Sequence, residues 1–386
     1  RTAAEVFGGE VPCRSYTFLF HVLEGAGGGL EHRDSCVCGF PPFAFRPKRS
    51  YQRQLSLISH EYFHTWNVKR IRPAELGPFD YGAENYTRLL WVSEGFTSYY
   101  DGLILRRAGL TSVPVFLDGL ARMIRTLGET PGHAVDSVEQ SSFDAWIKLY
   151  RPHENLRNMT VSYYLKGALV ALLIDLTIRD ATDGAKSLDD VLRALWAGYR
   201  ARPERGFTES ELMEALAGAA GRSLEPEIGA WVKGTGPLPF EETLARVGLA
   251  LVPSDGSGPS RPWLGIVPGE GGKVKEVLDG SPARAAGLNA GDELIALDGF
   301  RLGDLSERLA EKQAADRVVF TVCRRGRLRE IPVVLGGDPG FDRALRPREG
   351  AGEREERLFT GWLGEPLSAA KESAGPPPKE PAPRPI

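Results

Sequence analysis

A chain of 386 residues is long enough for two or three domains, and 42% hydrophobic residues are enough to build a core. A formal charge of −3 and a pI near 6.2 exclude an electrostatic case for nucleic acid or an anionic membrane surface as partner. No apolar run approaches the roughly 18 residues of a membrane span, and the longest, Ala168 to Leu176, is interrupted by Asp175. The chain opens on Arg1 rather than Met with no signal pattern behind it, which reads as a fragment or processed form and leaves the compartment open. Of the four cysteines, Cys36 and Cys38 are too close in sequence to pair readily with each other, and all four read as plain thiols.

In chain order, Tyr16 to Val22 is rich in aromatic and branched residues and predicts a strand, with a Gly-rich turn at Gly25 to Gly29. Tyr51 to Trp66 predicts the first long helix, with Leu55, Ile58, Tyr62 and Trp66 on its apolar side. Further helices are predicted over Tyr86–Arg107, Val113–Leu127, Phe143–Tyr150 and Val161–Thr177. Capping patterns at Ser187–Asp190 and Thr208–Glu211 open two more. Trp231 to Phe240 is predicted as an exit turn. After Ser254–Ser260, which reads as a flexible linker, the pattern turns to β with one short helix. Strands are predicted at Leu264–Pro268, Val274–Leu278, Glu293–Leu297, Arg317–Cys323 and Arg329–Leu335. The end of the chain holds a charged stretch, Arg346 to Arg357, then Leu358 to Leu363, and finally a Pro-rich tail from Pro376 that reads as disordered.

The chemistry concentrates in His60-Glu61-Tyr62-Phe63-His64. On a helix, His60 and His64 lie one turn apart with Glu61 beside them, which suits two zinc ligands and a general base. A catalytic zinc needs a third protein ligand. The best candidate is Glu94, with 29 residues between it and His64, a carboxylate among apolar neighbours that needs a cation. Asp101, seven residues further on, is placed either to orient a ligand histidine or as a solvated charge. Tyr163 and Tyr164 are both candidates to donate to an oxyanion, and both read equally well as core aromatics. Asn67, Lys69, Arg70 and Arg72 follow the motif without a role that spacing alone assigns.

The runs SHEYFHTWNVKRIRP, LLWVSEGFTSYYDGLILRRAGL, FDAWIKLYRPHEN and YYLKG resemble the glycyl aminopeptidase family of PDZ-containing zinc peptidases, a thermolysin-like group with glutamate as third ligand. The resemblance implies one zinc ion per chain held by His60, His64 and Glu94, with Glu61 as base. It favours Tyr164 over Tyr163 as the oxyanion donor. Gly28-Gly29-Leu30-Glu31-His32 is similar to the Gly-x-Met-Glu-Asn element of related aminopeptidases, which implies a substrate-binding edge at Gly28 and Gly29 and an α-amine anchor at Glu31. Taken alone, Glu31 would be an ordinary surface acid.

Pro262 to Val267 with Gly280 to Phe300 resembles a bacterial-type PDZ domain, which implies a loop at Leu264, Gly265 and Ile266 that receives a peptide C-terminus. The expected fold is multidomain α+β. Residues 1–45 form a β segment, 46–252 a mostly α-helical catalytic domain, 253–260 a linker, 261–340 the PDZ unit and 341–386 the tail. The expected activity is zinc-dependent removal of small N-terminal residues, Gly and then Ala, from peptides and proteins. Two alternatives stand beside it: an endopeptidase whose PDZ unit selects substrates, and a non-catalytic peptide-binding adaptor.

Overall fold

The computed structural model describes residues 1–46, 48–254 and 261–371. Apart from Ser254, the expected linker lies outside the described residues, as does the Pro-rich stretch from 376 to 386.

A three-stranded sheet opens the fold: β1 (Thr17–Val22), β2 (Gly29–Glu31) and β3 (Ser35–Phe40), in the order β1-β3-β2. Cys36, Cys38 and Phe40 alternate inward on β3 and pack on Leu57 and Ile58 of α1 (Lys48–Phe63), so this sheet lies against the helix that carries the histidines. β2 is left as an edge strand, paired to β3 through Gly29↔Cys38 and Glu31↔Cys36.

α1 starts three residues earlier than predicted and ends at Phe63; Trp66 lies in the turn that follows and is fully buried. Phe63 stacks on Tyr100 of α2 (Thr97–Arg107) with ring centroids 5.0 Å apart. The helix predicted from Tyr86 begins instead at Trp91. Its first stretch, Trp91–Phe96, is a wider π-helical turn, a local expansion that re-aims side chains. The helix predicted at Phe143–Tyr150 lies at Val138–Phe143, because the Ser137 hydroxyl accepts from the Gln140 N–H and fixes the start earlier. Turns follow it. Both capping boxes, Ser187 with Asp190 and Thr208 with Glu211, are formed.

The centre of the lobe is α3 (Tyr163–Ala181), whose side chains from Lys166 to Arg179 are all buried. Asp175 within it is satisfied from three sides, by the Tyr99 hydroxyl at 2.6 Å, the Leu188 N–H at 2.9 Å and Arg179 Nε at 3.1 Å. A buried carboxylate therefore serves here as a junction.

The expected tail from 341 is corrected over its described part. β5 (Arg343–Pro347) pairs antiparallel with β4 (Leu249–Pro253), and α4 (Glu353–Leu363) buries Leu358, Phe359, Trp362 and Leu363 in the main core. Of the 346–357 run, Arg346 lies in β5, and the charges from Glu353 to Arg357 occupy the first turns of an amphipathic helix. Trp362 Nε1 donates to the Tyr99 hydroxyl at 2.8 Å, and Arg179 Nη1 donates to the Gly361 carbonyl at 3.1 Å, which joins α4 to the Asp175 junction.

Between β4 and β5 lies a β-rich unit with its own core, including Leu264, Val274, Val277, Leu288, Phe320 and Val322. Its central strands, Glu293–Leu297, Arg317–Arg324 and Arg327–Val334, are antiparallel. The strand predicted at Leu264–Pro268 is interrupted, because Gly265 adopts φ +79 and splits it into Pro262–Trp263 and Ile266–Pro268. The unit docks on the helical lobe through Asn158, whose amide donates to the Val277 carbonyl at 2.8 Å and accepts from the Asp279 N–H at 2.9 Å. Among the described residues no helix is long and apolar enough to cross a membrane.

Trp362→Ala should destabilise the protein by about 3–5 kcal/mol, the range for removing a large buried aromatic. Denaturant unfolding monitored by circular dichroism checks this; a change within experimental error would mean that α4 is peripheral to the core.

Candidate metal centre and cleft

The last turn of α1 and the π-helical turn before α2 bring three ligand atoms together. His60 Nε2 lies 3.2 Å and His64 Nε2 3.4 Å from Glu94 Oε2, and one ligand atom from each residue falls within 4.8 Å of the others. The far ring nitrogens fix the tautomers. His64 Nδ1 is 2.7 Å from the Asn67 carbonyl, which can only accept, so Nδ1 carries the proton. His60 Nδ1 lies 3.5 Å from Asp101 Oδ2, and Asp101 is itself held by the Ser56 hydroxyl at 3.0 Å. With both outer nitrogens committed as donors, two Nε2 lone pairs and a carboxylate converge on one point. That donor set, two imidazoles and one carboxylate, fits zinc.

The electrostatics agree with a site built for a cation. Burial alone would lower the pKa of His60, but Asp101 and Glu94 outweigh it and raise it to about 10, so a metal ion bound there would displace a proton from Nε2. His64 is likewise raised against burial, chiefly by Glu94. Burial works against ionising Glu94, yet the two histidines hold its carboxyl well below the usual carboxylate range.

Asn67 joins the two ligand-bearing segments. Its carbonyl faces His64, while its amide nitrogen reaches the Val92 and Ser93 carbonyls at 3.0 and 3.1 Å, just ahead of Glu94. Glu61 is buried beside the ligands, and its Oε2 has no hydrogen-bond partner among the described residues. Burial pushes its pKa up to about 7. Gly29 of β2 presses on this side chain: a Cβ at that position would run into the Glu61 carboxylate, so the strand edge and Glu61 occupy one packed arrangement. Gly28 next to it has φ +73. Glu31, at the end of β2, has a ligand atom within 4.8 Å of those of Glu61 and His64, and it also lies 3.6 Å from Lys69 Nζ.

A second glycine contact sets the far wall. Gly95 and Gly167 meet backbone to backbone where the π-helical turn crosses α3, and this crossing brings Tyr164 over the His60 ring at 6.4 Å between centroids. Tyr164 lines the cleft with the ligands, in a space of about 800 Å³. Tyr163 is buried beneath it. The Tyr150 hydroxyl is 3.2 Å from that of Tyr164 and accepts from that of Tyr163 at 3.3 Å, so it links the two.

The structure thus brings His60, His64, Glu94, Glu61, Tyr164, Gly28, Gly29 and Glu31 to one cleft. Leu264, Gly265 and Ile266 lie apart from it, in the β-rich unit. Sequence reasoning missed Tyr150, which belongs to no periodic element, and left Asn67 and Lys69 without roles. Their place directly after the histidine motif was the only signal for the last two.

The M61 glycyl aminopeptidase family matches residues 53–170, the segment that holds every ligand candidate. The crystal structure of an aminopeptidase N family protein from Idiomarina loihiensis superposes with a TM-score of 0.86 at 29% sequence identity, covering 94% of this chain and 64% of that one. The chain therefore spans just under two thirds of that protein's length. An M1 zinc metallopeptidase from Deinococcus radiodurans, bound to a Tyr-Ser-Ala substrate, is 18% identical with a TM-score of 0.38, covering 62% of this chain and 44% of that one. A serine endoprotease from Yersinia pestis is 25% identical over 20% of this chain and 29% of its own, with a TM-score of 0.19. Neither of these two superpositions is close enough to carry an argument. No curated protein matches the chain.

Gly167→Ala should cost about 1–3 kcal/mol, the range for overpacking, because the new methyl would meet the Gly95 Cα and the Trp91 carbonyl at 3.0 Å, and backbone must move. Unfolding by urea checks it; a variant as stable as the parent would show that the crossing has room to spare.

Proposed function

We propose that the chain is a zinc-dependent aminopeptidase that removes small N-terminal residues, glycine foremost and alanine next. The observation that carries this reading is the convergence of His60 Nε2, His64 Nε2 and Glu94 Oε2 beside the unpartnered carboxylate of Glu61. The match to a glycyl aminopeptidase family and the superposition on an aminopeptidase N family protein support the reaction class, and the name of the family supports the preference for glycine. One zinc ion per chain would be held by His60, His64 and Glu94, and when bound it supplies Lewis acidity toward water and the substrate carbonyl.

The remaining steps belong to the protein. The outer edge of β2 at Gly28 and Gly29 offers backbone groups to an extended substrate, since only its inner edge is paired. Glu31 receives the α-ammonium. Glu61, with its pKa pushed up to about 7, accepts a proton from the attacking water and returns it to the leaving amine. Tyr164 donates its hydroxyl to the oxygen that becomes negative as the carbonyl carbon turns tetrahedral, steadied by Tyr150.

One observation favours a second reading. Lys69 lies 3.6 Å from Glu31, so this carboxylate already has a cation, as it would in an endopeptidase that needs no amine anchor. In that reading residues 261–340, taken as a PDZ domain, select substrates by their C-termini through Leu264, Gly265 and Ile266. The turn at Gly265 and the adjoining strand, paired along one edge only, support that role. No observation favours the adaptor reading. We also take the catalytic unit to consist of residues 46–252 completed by 343–371, with the β segment 1–45 as its edge.

Glycyl-p-nitroanilide should be hydrolysed and its N-acetyl form should not; equal rates on both would sink the aminopeptidase reading in favour of the endopeptidase. Glu61→Gln should retain zinc by metal analysis yet lose turnover, and a near-normal rate would remove Glu61 from the role of base. Tyr164→Phe should lower kcat by about 10- to 1000-fold with little change in KM, the scale of a single oxyanion donor. An unchanged kcat in a steady-state assay would free Tyr164 of that role.

A further inference from the structure

The cleft does not end at the ligands. A second chamber of about 530 Å³ adjoins it, and Arg53, Ser56 and Asp101 line both spaces. The far chamber has an apolar wall that includes Leu105, Phe116 and Leu120. Of the charged groups at the junction, Asp101 is committed to His60 and to the Ser56 hydroxyl. Arg122, further in, is paired with Asp118. Arg53 differs from both. It is exposed, it lines both chambers, and among the described residues no carboxylate or hydrogen-bond acceptor is paired with its guanidinium.

Its position along α1 sets what it can reach. Arg53 stands seven residues, two helical turns, before His60, a separation of about 10.5 Å along the helix axis. Glu31 lies at the other end, beside Glu61 and His64. A peptide whose amino end is at Glu31 and whose cleaved bond faces the three ligands would run its remaining residues toward Arg53. At about 3.3–3.6 Å per extended residue, two or three residues beyond the cleaved bond bring a chain end to the guanidinium. A planar fork of donors suits a carboxylate at that end.

We propose that Arg53 is a specificity-determining residue that binds the C-terminal carboxylate of short substrates, so that tri- and tetrapeptides with a free C-terminus are the preferred class. The inference rests on the peptidase reading for the direction of the substrate, and its test is made on binding so that the two can fail separately.

The 386-residue chain carrying Glu61→Gln and loaded with zinc is titrated calorimetrically with Gly-Ala-Ala-Ala as the free acid and as the C-terminal amide. The acid should bind about tenfold more tightly than the amide, the scale of one charge-assisted pair in a partly enclosed site. Adding Arg53→Met should bring the acid down to the affinity of the amide and leave the amide unchanged, while Arg53→Lys should restore part of the difference. Equal affinity for acid and amide before the arginine is changed would overturn the proposal. So would a preference for the acid that survives Arg53→Met, or a loss of affinity for both ligands alike, which would mark Arg53 as merely structural. A preserved preference for the acid, combined with no hydrolysis of any glycyl peptide by the unmutated chain, would support the carboxylate site and sink the aminopeptidase reading alone.

Discussion

The arrangement of the cleft depends on two glycines that touch. Gly95 follows Glu94 and Gly167 lies three residues after Tyr164, and their backbones meet with no side chain between them. Helices normally pack 8–10 Å apart because side chains keep them there. Removing both Cβ atoms lets the π-helical turn sink onto α3, and Glu94, one residue before the first glycine, and Tyr164, one helical turn before the second, are carried to the same wall. Glu94 and Tyr164 come from segments about seventy residues apart in sequence, yet this one contact decides the distance between them. On the opposite wall Gly29 does similar work, since the space that its missing side chain leaves is filled by the Glu61 carboxylate.

Around this crossing, polar groups inside the lobe are used to register elements rather than to strengthen them singly. Asn67 holds the segment after the histidines to the one that carries Glu94. Asp175 gathers Tyr99, Arg179 and the start of the Leu188–Ala201 helix, and through Tyr99 and Arg179 it also receives α4 from the far end of the chain. Each of these groups is costly to bury unpaired, so a shift of any one element leaves a penalty at several others. The ligand geometry is therefore backed by contacts well away from the cleft, in keeping with the need to preorganise a metal site.

Much of this was legible in the sequence where the signal is local. His60, Glu61 and His64 declare themselves by spacing within one helix, and Ser187 and Thr208 declare helix starts by the residue three positions on. Glu94 drew notice because a carboxylate among apolar residues needs a partner, and it lies beside His60 and His64. The misses have physical reasons. α4 was hidden because its apolar stripe of Leu358, Phe359, Trp362 and Leu363 closes a run in which charges dominate. Tyr150 follows a short helix in a chain of turns, where no period marks a residue as inward or outward. The roles of Gly95 and Gly167 were invisible for a different reason: a close approach is a property of two segments, and neither glycine is unusual in its own.

The pairing of β4 with β5 changes how the β-rich unit should be viewed. Pro253 lies opposite Arg343 in an antiparallel ladder, so everything between them, strands and core included, is in topological terms the loop of one hairpin. Neighbouring strands are only about 5 Å apart, and the lobe therefore closes on itself whether that loop is long or short. The β4–β5 ladder, and with it the seat of α4, is therefore set independently of the length of the module it carries. What ties it to the lobe, besides the path of the chain, is a set of side contacts: the Asn158 amide with Val277 and Asp279, and Arg157 with Glu276 at 3.1 Å.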